Sequence, residues 1–173
     1  MSRNKTLKVD EIIDEKLELF SEFLLEKENI TKYCLDNKII NADTFETIKL
    51  LPDAFVDLLI VDPPYNLTKE YDGTKFSRVR DEEYLCWFED WVKELPRIMK
   101  PNGSLYFCGD WKSSPLYYQI LSKYFCVKNR ITWEREKGRG TDSNWKNNIE
   151  DIYFCTVNDK NYTFNIDEVK VRR

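Results

Sequence analysis

Asp62-Pro63-Pro64-Tyr65 follows directly on an apolar run, Val56-Asp57-Leu58-Leu59-Ile60-Val61. Paired prolines fix two backbone φ angles and remove two N–H donors. The groups left to face outward are acceptors, the Asp62 carboxylate and the Pro63 carbonyl. Two oxygens held rigidly side by side suit one atom that carries two hydrogens, an exocyclic amino group. Accepting both hydrogens draws the nitrogen lone pair out of conjugation with its ring and makes it nucleophilic. Tyr65 offers an aromatic face on which a flat ring stacks. A structural strand-to-loop corner is the plainer reading, but paired prolines rarely end a buried strand.

The elements that must position these residues are readable along the chain. The unbroken apolar run of residues 56–61 predicts a strand buried on both faces, as in a parallel sheet. Ligands of open α/β sheets sit at the carboxyl ends of such strands, where the tetrapeptide stands. Val9, Ile12, Ile13, Leu17, Phe20, Phe23 and Leu24 recur at helical spacing and predict an amphipathic helix over 9–28. Residues 38–41 read as a strand. Asp43, with Glu46 three residues on, reads as the N-cap of a helix running to about Leu51 and stopped by Pro52. Residues 66–80 read as a polar loop, either plain surface or a flap that closes over a ligand. Asp81 starts a helix to about Lys100 with Leu85, Phe88, Val92 and Leu95 inward and a break at Pro96. A turn at 101–103, a buried strand at 104–108, a helix at 115–124, a strand at 126–133, a polar loop at 135–147 and a strand at 151–157 complete the pattern. Strands alternate with helices, so the predicted class is α/β with a mainly parallel sheet.

Composition narrows the chemistry. The chain has 173 residues and no histidine. Ser-His-Asp and Cys-His nucleophilic sites and zinc sites with imidazole ligands are therefore excluded. Five cysteines, an odd number without any Cys-x-x-Cys, suggest reduced and mostly buried thiols in a cytoplasmic protein, with no metal site. No segment approaches a membrane span. The net charge of −4 is uneven: residues 1–50, 51–100 and 101–173 carry −3, −4 and +3. Only the last third suits a polyanion. Lys137-Gly138-Arg139-Gly140 form a basic tip able to follow phosphates, and Asn66 directly follows the tetrapeptide. A nucleobase would have to leave its duplex to reach such a site.

Asp62 to Tyr65 resembles motif IV of the S-adenosylmethionine-dependent amino-methyltransferases of DNA. Other stretches resemble the same enzymes: Pro101-Asn102-Gly103-Ser104-Leu105-Tyr106-Phe107, Ile131-Thr132-Trp133, Asn144-Trp145-Lys146-Asn147, Glu150-Asp151-Ile152-Tyr153-Phe154, and Phe164-Asn165-Ile166-Asp167-Glu168-Val169. The resemblance spans roughly residues 38–171 in the order of the β-class, the adenine-N6 and cytosine-N4 enzymes. It implies a Rossmann-like methyltransferase sheet, incomplete in this chain. It implies catalysis by Asp62, Pro63, Pro64 and Tyr65. It implies S-adenosyl-L-methionine binding by Asp43, Thr44 and Asp62, with Asp43 receiving the cofactor's adenine amino group. DNA contacts are expected from Asn66, Lys137 and Arg139. Aspartate in first place favours adenine N6 over cytosine N4.

The resemblance also sets limits. The family's Phe-x-Gly-x-Gly cofactor loop has no counterpart among the five glycines. On this reading residues 1–30 are a helical extension, and 31–173 are a partial catalytic domain ending at the start of the target-recognition region. The chain is then the front half of a restriction-modification methyltransferase, inactive alone. Its expected partners are double-stranded DNA with a flipped adenine, and a second copy or a complementary chain. The alternatives are a cytosine-N4 enzyme and a non-catalytic subunit that binds DNA or another chain.

Overall fold

The structure, a computed structural model, describes residues 24–30, 35–71 and 74–170, with side chains at all of these except 69–71, 74–76, 137–141, 144 and 169. The chain divides into two compact units, Met1–Leu51 and Pro52–Arg173.

In the first unit, β1 (Leu24–Leu25) pairs in parallel with β2 (Ile39–Ile40). The helix expected over 9–28 lies mostly outside the described residues, and its described end is the short strand β1 followed by a 3-10 turn at Lys27–Asn29. Helix α1 (Thr44–Ile48) starts as its sequence dictates. Asp43 Oδ1 accepts the Glu46 amide at 3.0 Å, and the Thr47 hydroxyl donates back to the Asp43 carbonyl at 2.6 Å.

In chain order the second unit comprises β3 (Val56–Val61), a hairpin of β4 (Lys69–Tyr71) and β5 (Thr74–Phe76), α2 (Asp81–Val92), α3 (Leu95–Ile98), β6 (Met99–Gly109), α4 (Ser114–Tyr124), β7 (Cys126–Thr141), β8 (Asn144–Thr156) and α5 (Ile166–Val169). Four strands form one sheet in the order β3-β6-β8-β7. β3 and β6 are parallel, and β8 runs against both its neighbours. Three of the four strands therefore point the same way, and the mostly parallel α/β expectation holds. Among the described residues, no helix is long and apolar enough to cross a membrane.

One sheet face is closed by α2 and α4. Leu105 and Phe107 of β6 are completely buried there, with Phe88 and Val92 of α2 and Tyr117 and Leu121 of α4. The Phe107 ring meets Phe88 at 5.2 Å and Tyr117 at 5.1 Å between centroids. Burying each such ring contributes about 1.5–3 kcal/mol. A Cβ at Gly109 would stand 2.3 Å from the Tyr117 ring, so only glycine lets α4 close onto the end of β6. The buried stripe of α2 is Tyr84, Phe88, Trp91 and Val92, with Leu85 only half-buried. A new turn, α3, begins with Pro96 near its start, where the missing N–H has no helical partner to lose.

Four expectations are corrected. β3 is not buried on both faces: Leu58 is 55% and Ile60 68% exposed, because helices cover one side of this edge strand only. The turn at 101–103 is a bulge inside β6, where pairing jumps from Val56–Met99 to Leu58–Ser104. Gly103 is needed there, since a Cβ would meet the Lys100 carbonyl at 2.9 Å. The polar loop at 135–147 is instead a ribbon in which β7 and β8 continue to pair, through Arg139–Asn147 and Thr141–Asn144. Of the four described cysteines only Cys155 is buried. Cys108 and Cys126 are half-buried, and Cys86 is exposed.

Candidate active site

Asp62 leaves the end of β3 with its side chain exposed. The Tyr65 hydroxyl donates to Asp62 Oδ1 at 2.8 Å. That charge-assisted bond fixes the carboxylate and leaves Oδ2 for another donor. Burial pushes the Tyr65 phenol well above its usual range, helped by Asp62 and then by Glu150 and Cys108. Tyr65 therefore remains a protonated donor. Asp62, Tyr65, Cys108 of β6 and Glu150 of β8 thus share one neighbourhood at the sheet edge where β3 and β6 end. Burial, then Asp62 and Glu150, also raise the Cys108 thiol and keep it protonated. Arg135 holds Glu150 at 2.8 Å.

The prolines divide the backbone between two tasks. Pro63 is buried, whereas Pro64 is exposed. The Tyr84 hydroxyl donates to the Pro64 carbonyl at 3.0 Å. Tyr84 is itself 3.0 Å from the Tyr117 hydroxyl, and both rings are buried. Burial pushes the Tyr84 phenol up to about 12, and it raises Tyr117 as well. The floor of the tetrapeptide is therefore pinned to α2 and α4 by neutral hydroxyls.

Asn66 turns inward rather than toward a polyanion. It is 6% exposed. Its amide donates to the Val79 carbonyl at 3.1 Å and accepts the Val79 N–H at 2.9 Å. These bonds tie the two ends of segment 66–79 together and leave no exposed amide for a phosphate. A cavity of about 290 Å³ lies beside this clamp, lined by Pro64, Tyr65, Leu67, Glu83, Tyr84 and Trp87 among others. Thr44 and Asp43 are exposed at the start of α1 in the first unit. Asp43 Oδ1 is used by the cap, which leaves Oδ2 to accept an amino group. Lys137 and Arg139 lie on the β7 ribbon, but their side chains fall outside the described set. Among the described residues, no cluster of three or more His, Cys, Asp or Glu side chains can hold a metal.

Sequence reasoning missed Tyr84, Tyr117, Cys108 and Glu150. Tyr84 was findable, because positions 84, 88, 91, 92 and 95 form a tighter helical stripe than one that starts at Leu85. Glu150 and Cys108 had no local signal; strand pairing brings them to the site.

The model of the DNA methylase family, N6 and N4 type, matches residues 56–173. The chain belongs to this family. Its relatives include the type II methyltransferase M.HpaI of Haemophilus parainfluenzae, 33% identical over 141 residues, which are 79% of this chain and 44% of the relative. The DNA adenine methyltransferase YhdJ of Escherichia coli (strain K12) is 31% identical over 134 residues, 77% of this chain and 45% of its own length. The chain thus spans less than half the length of these DNA methylases. The cytosine-N4-specific PvuII DNA methyltransferase has the same fold, with a TM-score of 0.53 at 16% identity over 68% of this chain and 48% of that one.

Proposed function

We propose that this DNA methylase chain carries the amino-group site of a restriction-modification enzyme that methylates adenine N6 in DNA. The observation that carries the reading is the exposed Asp62 carboxylate, fixed by Tyr65 at a strand end. Asp62 Oδ2 accepts one hydrogen of the target amino group. The Pro63 carbonyl accepts the other. The extruded base stacks on Tyr65. S-adenosyl-L-methionine supplies an electrophilic methyl group when bound. Asp43, Thr44 and Asp62 are the residues of this chain that would hold it. The cofactor would supply the methyl that the amino nitrogen takes up as its carbon–sulfur bond is released, and Asp62 would accept the proton the nitrogen gives up. Lys137 and Arg139 follow DNA phosphates, while Asn66 shapes the segment above the base. Adenine is preferred because Asp62 stands first in the motif and because YhdJ acts on adenine; the N4 fold relative keeps cytosine as the second reading. The exposed Leu58 and Ile60 support a second copy or a complementary chain on the open sheet face.

The test is methyl transfer from labelled S-adenosyl-L-methionine to duplex DNA by the complete assembly, with nucleosides identified by mass spectrometry. N6-methyladenine is expected, and Asp62→Ala should abolish it while circular dichroism stays unchanged. N4-methylcytosine would replace the adenine reading, and near-normal transfer by Asp62→Ala would remove Asp62 from the chemistry.

A further inference from the structure

β7 runs in the same direction as β3 and β6, so its extension rises from the edge that carries Asp62. The last β6 residue in the ladder, Gly109, is level with Asp151 of β8 and Thr132 of β7. Beyond that rung only β7 and β8 continue, as a two-stranded ribbon that turns at Asp142 and Ser143. Trp145 is 96% exposed near the tip of this ribbon. At strand spacing it stands roughly 20 Å past the last rung shared with β6. No other large hydrophobic side chain described is so exposed; Ile60 follows at 68%. A tryptophan held in water forgoes the burial that tryptophan usually finds.

The surroundings of Trp145 indicate what covers it. Residues 136–147 contain Lys137, Arg139 and Lys146 against Glu136 and Asp142, in a chain whose net charge is −4. Two acids lower on the ribbon are already matched, Glu150 by Arg135 and Glu134 by the Asn148 amide at 2.8 Å. An exposed aromatic ring next to a lysine on a narrow two-stranded projection suits a polyanion that offers flat rings between its charges. A two-stranded ribbon fits a nucleic-acid groove, and apolar wedges inserted there separate base steps.

We propose that the β7–β8 ribbon is a DNA probe whose Trp145 stacks into the gap opened when a base leaves the duplex. The inference rests on the reading of duplex DNA as substrate and adds a residue that holds the opened state. Lys146 anchors the tip to phosphate, and Trp145 replaces the stacking lost by the neighbours of the extruded base.

Fluorescence anisotropy with two labelled duplexes tests this, one intact and one with a single abasic site that presents the gap ready-made. The wild-type chain should bind the abasic duplex roughly five- to a hundredfold more tightly, the span of one base–aromatic stack. Trp145→Ala should bind both duplexes alike, near the wild-type affinity for intact DNA, and Trp145→Phe should restore most of the preference. Lys146→Ala should weaken both complexes equally and reduce the salt slope by about one phosphate contact. An abasic preference that survives in Trp145→Ala overturns the wedge and leaves the DNA reading standing. Absence of any salt-sensitive DNA binding overturns both. Shielding of Trp145 from acrylamide that grows with protein concentration and not with DNA would assign the ribbon to a second copy, against the proposal.

Discussion

The two faces of the β3-β6-β8-β7 sheet are built from alternate residues of the same strands, yet they end in opposite states. On one face Leu105, Phe107, Tyr153 and Cys155 lie under α2 and α4, each 3% exposed or less. On the other, Leu58 and Ile60 of β3 and Ile131 and Trp133 of β7 are 41% exposed or more. Between them, Phe154 is covered locally by Phe164 and Tyr162. Side-chain polarity does not separate the faces, since both are apolar. Helix placement does, because each helix can shield only the side on which its connection returns. The closed face supplies stability and pins the tetrapeptide from below through Tyr84. The open face leaves apolar surface of the kind that recruits a covering partner.

If that contrast is real, the largest stability effect belongs to the closed face. Phe88→Ala should cost about 3–5 kcal/mol, since it empties the space between Phe107 and Tyr117. Urea denaturation reads this directly, and a loss below 1 kcal/mol would erase the distinction between the faces. A smaller effect is expected where the closed face meets the site. Tyr84→Phe removes the donor to the Pro64 carbonyl and the Tyr84–Tyr117 hydroxyl bond, while Tyr117 keeps Ser113, at a cost of about 1–2 kcal/mol. The same phenol sets an alkaline limit. The folded state keeps the Tyr84 proton up to about 12, whereas an unfolded tyrosine releases it near 10.0. The folded state therefore binds more protons in that window, and stability falls as pH rises through it. Thermal melts from neutral pH to pH 12 should show a shallower decline for Tyr84→Phe than for the wild type. The smallest effect is expected on the open face. Leu58→Ser combined with Ile60→Ser should change stability by less than about 1 kcal/mol while reducing self-association in light scattering. A loss as large as that of Phe88→Ala would mean that the open face is covered within the chain.

Legibility in the sequence followed the range of the interactions. The Asp43 cap was readable because its donor is three residues away. Asp62 at a strand end was readable because an apolar run, a carboxylate and two prolines are consecutive. The apolar run of β3 suggested cover on both faces, since hydrophobicity records what a residue tolerates and not what lies above it. The β7–β8 ribbon was read as loop, because its ladder is made by backbone groups and its residues are polar and glycine-containing. Asn66 was placed on DNA from its neighbourhood, while its amide is taken by Val79, thirteen residues away.

The sequence by itself determined an acceptor group on a rigid two-proline support at a strand end, and the α/β alternation that places it there, because these depend on consecutive residues and backbone dihedrals. Only the tertiary structure decided that Tyr65 holds Asp62 through its hydroxyl, that Tyr84 occupies Pro64 and not Pro63, and which sheet face is closed. Those outcomes depend on how separate elements meet, and the energy of such meetings resides in no single stretch of chain.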